Sequence, residues 1–174
     1  MFGSKNIGTV TFYFDSKEMF NDVSLLSAFM AKTWAGTTDG LDTYTITDDE
    51  KDVYKVCLEQ TLPNIYETLM KLSNGIENAF DAKAVVTTGD VLGRAAGTYI
   101  EFTINAKGDY NSNVLGLVSD TLRDCIKYGV LDEFYSIVLN ADLNRIAKEK
   151  FAANLLLLNQ RLFQLKKKAV GSLI

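Results

Sequence analysis

Apolar residues recur at helical spacing through most of this chain, and most densely in its last third. From 142 to 168, Phe151, Leu155, Leu158, Leu162 and Leu165 fall on one face of a single predicted helix. Leu156 and Phe163 add a second apolar stripe. A helix that is apolar on more than one side is usually buried on more than one side, against its own domain or against another copy. The reading assigns Leu155, Leu158 and Leu162 to the domain core, and Phe151, Leu156 and Phe163 to intermolecular contact.

Upstream the pattern alternates between periods. Val10, Phe12 and Phe14 alternate with Thr9, Thr11 and Tyr13, which predicts a strand over 9–14. Asn21 or Asp22 is placed to cap a helix whose apolar stripe is Leu25, Leu26, Phe29 and Met30, and which stops at Gly36. TYTI at 43–46 reads as a short extended piece. Thr47-Asp48-Asp49-Glu50 has the spacing of a capping box. The helix it opens carries Val53, Val56, Cys57, Ile65, Leu69, Leu72 and Ile76, with Pro63 inside it to bend it.

Residues 81–97 are rich in glycine and small side chains and read as a loop that orders against a neighbouring subunit, with Gly89, Gly93, Arg94 and Gly97 as its contact residues. Ile100, Phe102 and Ile104 alternate as a strand over 99–104, with AVV at 84–86 able to pair with it as a hairpin. The 111–113 segment, Asn-Ser-Asn, supplies a cap. Leu115, Val118, Leu122, Ile126 and Val130 then follow on a helix that continues through Phe134 and Ile137, with Gly129 suited to a bend or a close crossing. Asn140 or Asp142 caps the final helix.

The resulting fold class is mainly α with a small β component: an α-helical bundle with a β-hairpin or extended-arm insertion. All 174 residues form one domain. Its parts are an N-terminal strand or arm (1–20), a helical half (21–80), a loop and hairpin (81–108), C-terminal helices (109–168) and a tail (169–174).

Composition narrows the chemistry. The chain has 18 lysines and arginines against 22 acids, a net charge of −4, which argues against a whole-surface basic field for nucleic acid. It has no histidine, which removes the histidine-dependent triads and metal sites. Cys57 and Cys125 lie far apart inside apolar helical patterns and read as small buried hydrophobes. No stretch has the length of a membrane span. The segment 89–94 lacks the Gly-Lys-Ser/Thr of a phosphate-binding loop. The carboxylates at 48, 49, 52, 132 and 133 fit caps and solvated helix faces better than general acid–base catalysis, and the cluster at 48–50 fits a cap better than a metal site. No cofactor, metal or catalytic residue is expected. Trp34 fits an interface anchor or a core plug equally. Lys166, Lys167 and Lys168 suit the negative end of the last helix, with DNA phosphates as the functional alternative.

The order of pieces carries a resemblance. KTWAG closes the first helix, DTYTITDDEKDV opens the second, TYIEFTIN forms the strand, and the run from VLGLVSDTL to FQLKKK makes the C-terminal half, with Phe134-Tyr135 as its aromatic pair. Over residues 20–168 this resembles small neck proteins of tailed bacteriophages (head–tail connectors, adaptors and ring proteins), most closely those of crAss-like and other Bacteroidales phages. The resemblance implies a non-enzymatic virion structural protein, made in the host cytoplasm. It would assemble as a ring of about twelve copies between portal and tail, around the DNA channel. Its partners would be copies of itself, the portal and the neighbouring neck and tail proteins. The strand holding Phe12 lies outside this resemblance, as an addition to it, and reads as an arm that augments a neighbour's sheet. The alternative is a small cytosolic adaptor or regulator docking its apolar helix in a partner protein.

Overall fold

The computed structural model describes residues 2–6, 9–36, 41–74, 80–91, 94–106 and 110–166. Among the described residues four α-helices and four strands follow in pairs as β1 (Phe2–Asn6), β2 (Thr9–Asp15), α1 (Ser16–Ala35), α2 (Lys51–Asn74), β3 (Phe80–Val91), β4 (Arg94–Ala106), α3 (Leu115–Ile137) and α4 (Ala141–Lys166). The expected class, mainly α with a small β component, is the class observed.

The strands form one antiparallel sheet in the order β1-β2-β4-β3. The N-terminal strand is not an arm reaching to a neighbour: Phe12 pairs with Phe102 of the same chain, and Val10 with Ile104. The segment 81–97 is not an irregular loop: β3 and β4 run as a long hairpin with Gly89 opposite Gly97. Its expected core pairing is correct, with Ala84 opposite Phe102 and Val86 opposite Ile100. Small side chains misled the reading because they weaken the period-two pattern, while the ladder is held by backbone hydrogen bonds that need no particular side chain.

One face of the sheet, with Val10, Phe12, Phe14, Ile100, Phe102 and Ile104, joins the main core. Phe14 meets Phe102 edge-on at 6.1 Å. On the other face Tyr13 and Tyr99 form a second small buried cluster, beside a Thr11–Thr103 hydroxyl pair at 3.2 Å.

Helix α3 is the centre of the bundle, with Val118, Leu122, Ile126, Val130 and Phe134 among its buried residues and α1, α2 and α4 packed around it. Gly129 is where three helices meet. A Cβ there would run into the Thr61 methyl of α2 and touch the Phe151 ring of α4. Thr61 itself is held by its hydroxyl, which donates to the Cys57 carbonyl at 2.8 Å.

The caps follow elementary hydrogen-bond accounting, with one shift of position. Asp15, rather than Asn21 or Asp22, caps α1: its carboxylate accepts from the Lys17 and Glu18 amides at 2.8 and 3.0 Å. The helix ends at Gly36, as expected, and that glycine takes the left-handed conformation. The capping box at Thr47 and Glu50 is formed, opening a short 3-10 turn (Asp48–Glu50) that leads into α2. The piece expected to be extended, 43–46, is instead entered by a 3-10 turn (Leu41–Tyr44), after which Ile46 drops into the core and its amide donates to the buried Ser27 hydroxyl at 2.9 Å. Helix α2 continues through Pro63, which stands at an exposed position. Asn111 caps the 3-10 turn (Ser112–Val114) in front of α3.

The α3–α4 corner is tightly bound. Asn140 is buried and its side chain accepts from the Leu143 amide at 3.0 Å, while Asn144 donates to both the carbonyl and the carboxylate of Asp132 at 2.8 Å. The turn needs a left-handed residue, and Leu139 fills that place with φ +55° and a side chain 89% exposed. A side chain in that region costs about 1–2 kcal/mol, and glycine avoids the cost. Leu139→Gly is therefore expected to raise stability by about 1 kcal/mol after glycine's greater unfolded-state freedom is deducted. A urea midpoint that falls instead would show that the exposed leucine packs against something.

Candidate interaction surfaces

All four helices leave some large apolar side chains outside, among them Val56 on α2 and Leu117 and Ile137 on α3, and two aligned pairs stand out on α1 and α4. On α1 the buried line is Met19, Val23, Ser27 and Ala31, not the expected Leu25, Leu26, Phe29 and Met30. Leu26 and Met30 flank the core, while Leu25 and Phe29 are 72% and 67% exposed. The small inward residues let α1 come close enough for Ser27 to bond the 46 amide and for the Tyr135 hydroxyl to donate to the Ser27 carbonyl. The larger side chains of Leu25 and Phe29, nearly half a turn away, are then left outside. The signal available in the sequence was the four-residue spacing Met19-Val23-Ser27-Ala31 after the Asp15 cap.

On α4 the buried face is Leu143, Ala147, Phe151, Leu158, Leu162 and Leu165. Leu158 and Leu162 serve the core as expected, and Leu155 packs partly against it. Leu156 and Phe163, expected at an interface, are 61% and 47% exposed. Phe151, expected beside them, is a core residue under Gly129. Phe12 likewise is fully buried by its own chain. Both corrections have one cause: periodicity shows that a side is apolar but not which neighbour covers it.

The other sequence-selected residues scatter. Trp34 is 43% exposed at the end of α1, stacked edge-on with Tyr44 at 5.5 Å and donating to the Asp142 carboxylate at 3.4 Å. Gly89, Arg94 and Gly97 lie on the β3–β4 hairpin, away from these helix faces in sequence, and Gly93 falls outside the described residues. Lys166 is the last residue of α4; Lys167 and Lys168 are outside the described residues.

Polar groups do not converge on a reacting centre in what is described. A groove of about 640 Å³ lies where α1 and α2 begin, floored by Phe20, Tyr54 and Leu58. Part of its polar lining is engaged: Lys51 bonds Asp48 at 2.7 Å and sits 5.5 Å over the Phe20 ring, and Asp15 is spent on its cap, whereas the buried Ser16 and Tyr54 hydroxyls have no hydrogen-bond partner among the described residues. Burial, with the Asp22 carboxylate nearby, pushes the Tyr54 phenol above its ordinary range. Asp22 is itself held by Arg123 at 2.8 Å. Burial raises the neighbouring carboxyls of Asp132 and Glu133. Lys148 and the Asn144 hydrogen bond pull Asp132 back, and Asp132 pushes Glu133 further up. Burial also pushes the thiols of Cys57 and Cys125 up to about 11 and about 12, so both stay protonated and unreactive at neutral pH. Among the described residues no group of three acids or cysteines is placed to hold a metal ion, and no helix is long and apolar enough to cross a membrane.

Compared with known proteins, the chain matches no family model, no curated protein and no solved structure.

Proposed function

We propose that this chain is a non-enzymatic structural subunit that assembles with copies of itself. Following the resemblance of residues 20–168, the assembly is a neck ring of a tailed bacteriophage, seated between portal and tail around the DNA. The observation that carries the self-assembly reading is the pair of exposed apolar lines, Leu25 with Phe29 on α1 and Leu156 with Phe163 on α4. Each lies on the back of a helix whose other side is already committed to the core. Single exposed apolar residues are ordinary, but paired large ones aligned on two helices are the material of an interface. The site of action in this reading is the virion, and the basic end of α4 would face the channel or a neighbouring ring.

Light scattering over a range of concentrations tests this. A discrete oligomer, an integer multiple of the 19.3 kDa subunit and stable above a threshold concentration, is the expected result. A protein that stays monomeric at every concentration, and that also fails to associate with portal protein, would overturn it.

A further inference from the structure

The groove where α1 and α2 begin keeps a polar feature that folding alone does not call for. Tyr54 is 5% exposed, and its hydroxyl, like the buried Ser16 hydroxyl, has no hydrogen-bond partner among the described residues. Both residues line the groove. A buried hydroxyl left unpaired destabilises the folded state, and phenylalanine at position 54 would avoid that loss while keeping the ring. Burial, with the Asp22 carboxylate nearby, keeps the phenol protonated, so it has a proton to donate to an acceptor.

The rest of the lining limits what can carry that acceptor. Phe20, Tyr54 and Leu58 make an apolar floor, with the half-buried Phe20 ring edge-on to Tyr54 at 5.1 Å. The charges around it balance. Lys51 is bonded to Asp48, Lys55 lies 3.6 Å from Asp52, and Lys17 and Glu59 add one charge of each sign. The positive ends of α1 and of the turn leading into α2 are already met by Asp15 and by the Thr47–Glu50 box. An anion therefore gains little here. The volume, about 640 Å³, lies within the roughly 300–1,000 Å³ of small-molecule sites. We propose that the groove binds a neutral, mainly apolar ring compound whose carbonyl or ether oxygen accepts from the Tyr54 hydroxyl. The half-buried Phe20 ring turns aside as the oxygen reaches the floor, and Ser16 supplies a second hydroxyl. The inference is independent of the self-assembly reading, because neither the Leu25–Phe29 line nor the Leu156–Phe163 line borders the groove.

Nile red, a neutral fused-ring dye with one carbonyl acceptor, is the probe, and its emission is followed as it is titrated into the full chain. The wild type is expected to bind it saturably, one dye per subunit. Tyr54→Phe is expected to bind it about fivefold more weakly, with the bound emission further to the blue because the donor to the dye carbonyl is gone. Without dye, the same variant is expected to unfold about 2–4 °C higher than the wild type, since an unpaired buried hydroxyl has been removed. A merely structural hydroxyl would not give these opposite signs. Asn21→Trp, at an exposed lining position, is expected to fill the groove and abolish binding at unchanged helical content. A Tyr54→Phe protein that unfolds at a lower temperature shows that the hydroxyl already has a partner within the protein, and overturns the proposal. Dye binding that ignores Tyr54→Phe overturns it too, above all if Leu25→Asp/Phe29→Asp removes that binding and so places the dye on the exposed line of α1. A wild-type protein that leaves the dye emission unchanged overturns it as well.

Discussion

Gly129→Val is expected to cost about 3 kcal/mol of folding stability, a large share of the roughly 5–15 kcal/mol a domain of this kind has. Helix propensity does not contribute, since glycine and valine are similarly poor in a helix interior. The loss comes from overpacking. Any Cβ at 129 enters the space of the Thr61 methyl and the edge of the Phe151 ring. Thr61 cannot simply rotate away, because its hydroxyl is tied to the Cys57 carbonyl and its branched Cβ allows few rotamers inside a helix. The check is a double-mutant cycle by urea unfolding. Thr61→Ala should recover a substantial part of the loss when combined with Gly129→Val, although alone it stabilises nothing. Strictly additive effects would show that α2 and α3 are not in contact at this point.

Phe151→Ala and Leu156→Asp should separate stability from assembly. The Phe151 side chain is 8% exposed and fills the angle between α3 and α4 under Gly129, so its truncation is expected to cost about 3–5 kcal/mol. Leu156, little more than a turn further on, is 61% exposed. Leu156→Asp should change stability by no more than about 0.5 kcal/mol, as surface substitutions usually do, and still abolish the oligomer. Thermal unfolding and light scattering on the same samples decide it. If Leu156→Asp unfolds the protein, or if Phe151→Ala leaves the midpoint unchanged, the two sides of α4 have been assigned the wrong way round.

These variants also mark where reading the chain as a string succeeds. The capping box at Thr47 and the helix stop at Gly36 were legible, and the cap of the last helix was narrowed to Asn140 or Asp142 and Gly129 to a bend or a close crossing, because each depends on residues within a turn of one another or on the absence of one side chain. The two buried cysteines were legible for a similar reason: with apolar neighbours at helical spacing, a small thiol goes inward.

What local pattern could not supply was phase and partner. Along α1 either the line of larger residues or the line of small ones was a consistent inward side, and only the fit against α3 and the Ile46 segment selected Ser27 and Ala31. That selection is what left Leu25 and Phe29 on the surface. The β3–β4 hairpin was half hidden because its small residues carry no alternation, while its hydrogen bonds come from backbone that every residue shares. The strand around Phe12 had a clear pattern, but whether its neighbour belonged to the same chain was a question of topology, answered by the ladder to β4.

The sequence by itself determined the helical class, most helix starts and stops, the strand faces and the apolar excess of α4, all consequences of spacing and local hydrogen bonding. The tertiary structure decided which of two apolar sides each outer helix buries, since that depends on how closely helices approach one another and on which side chains remain once the space between them is filled.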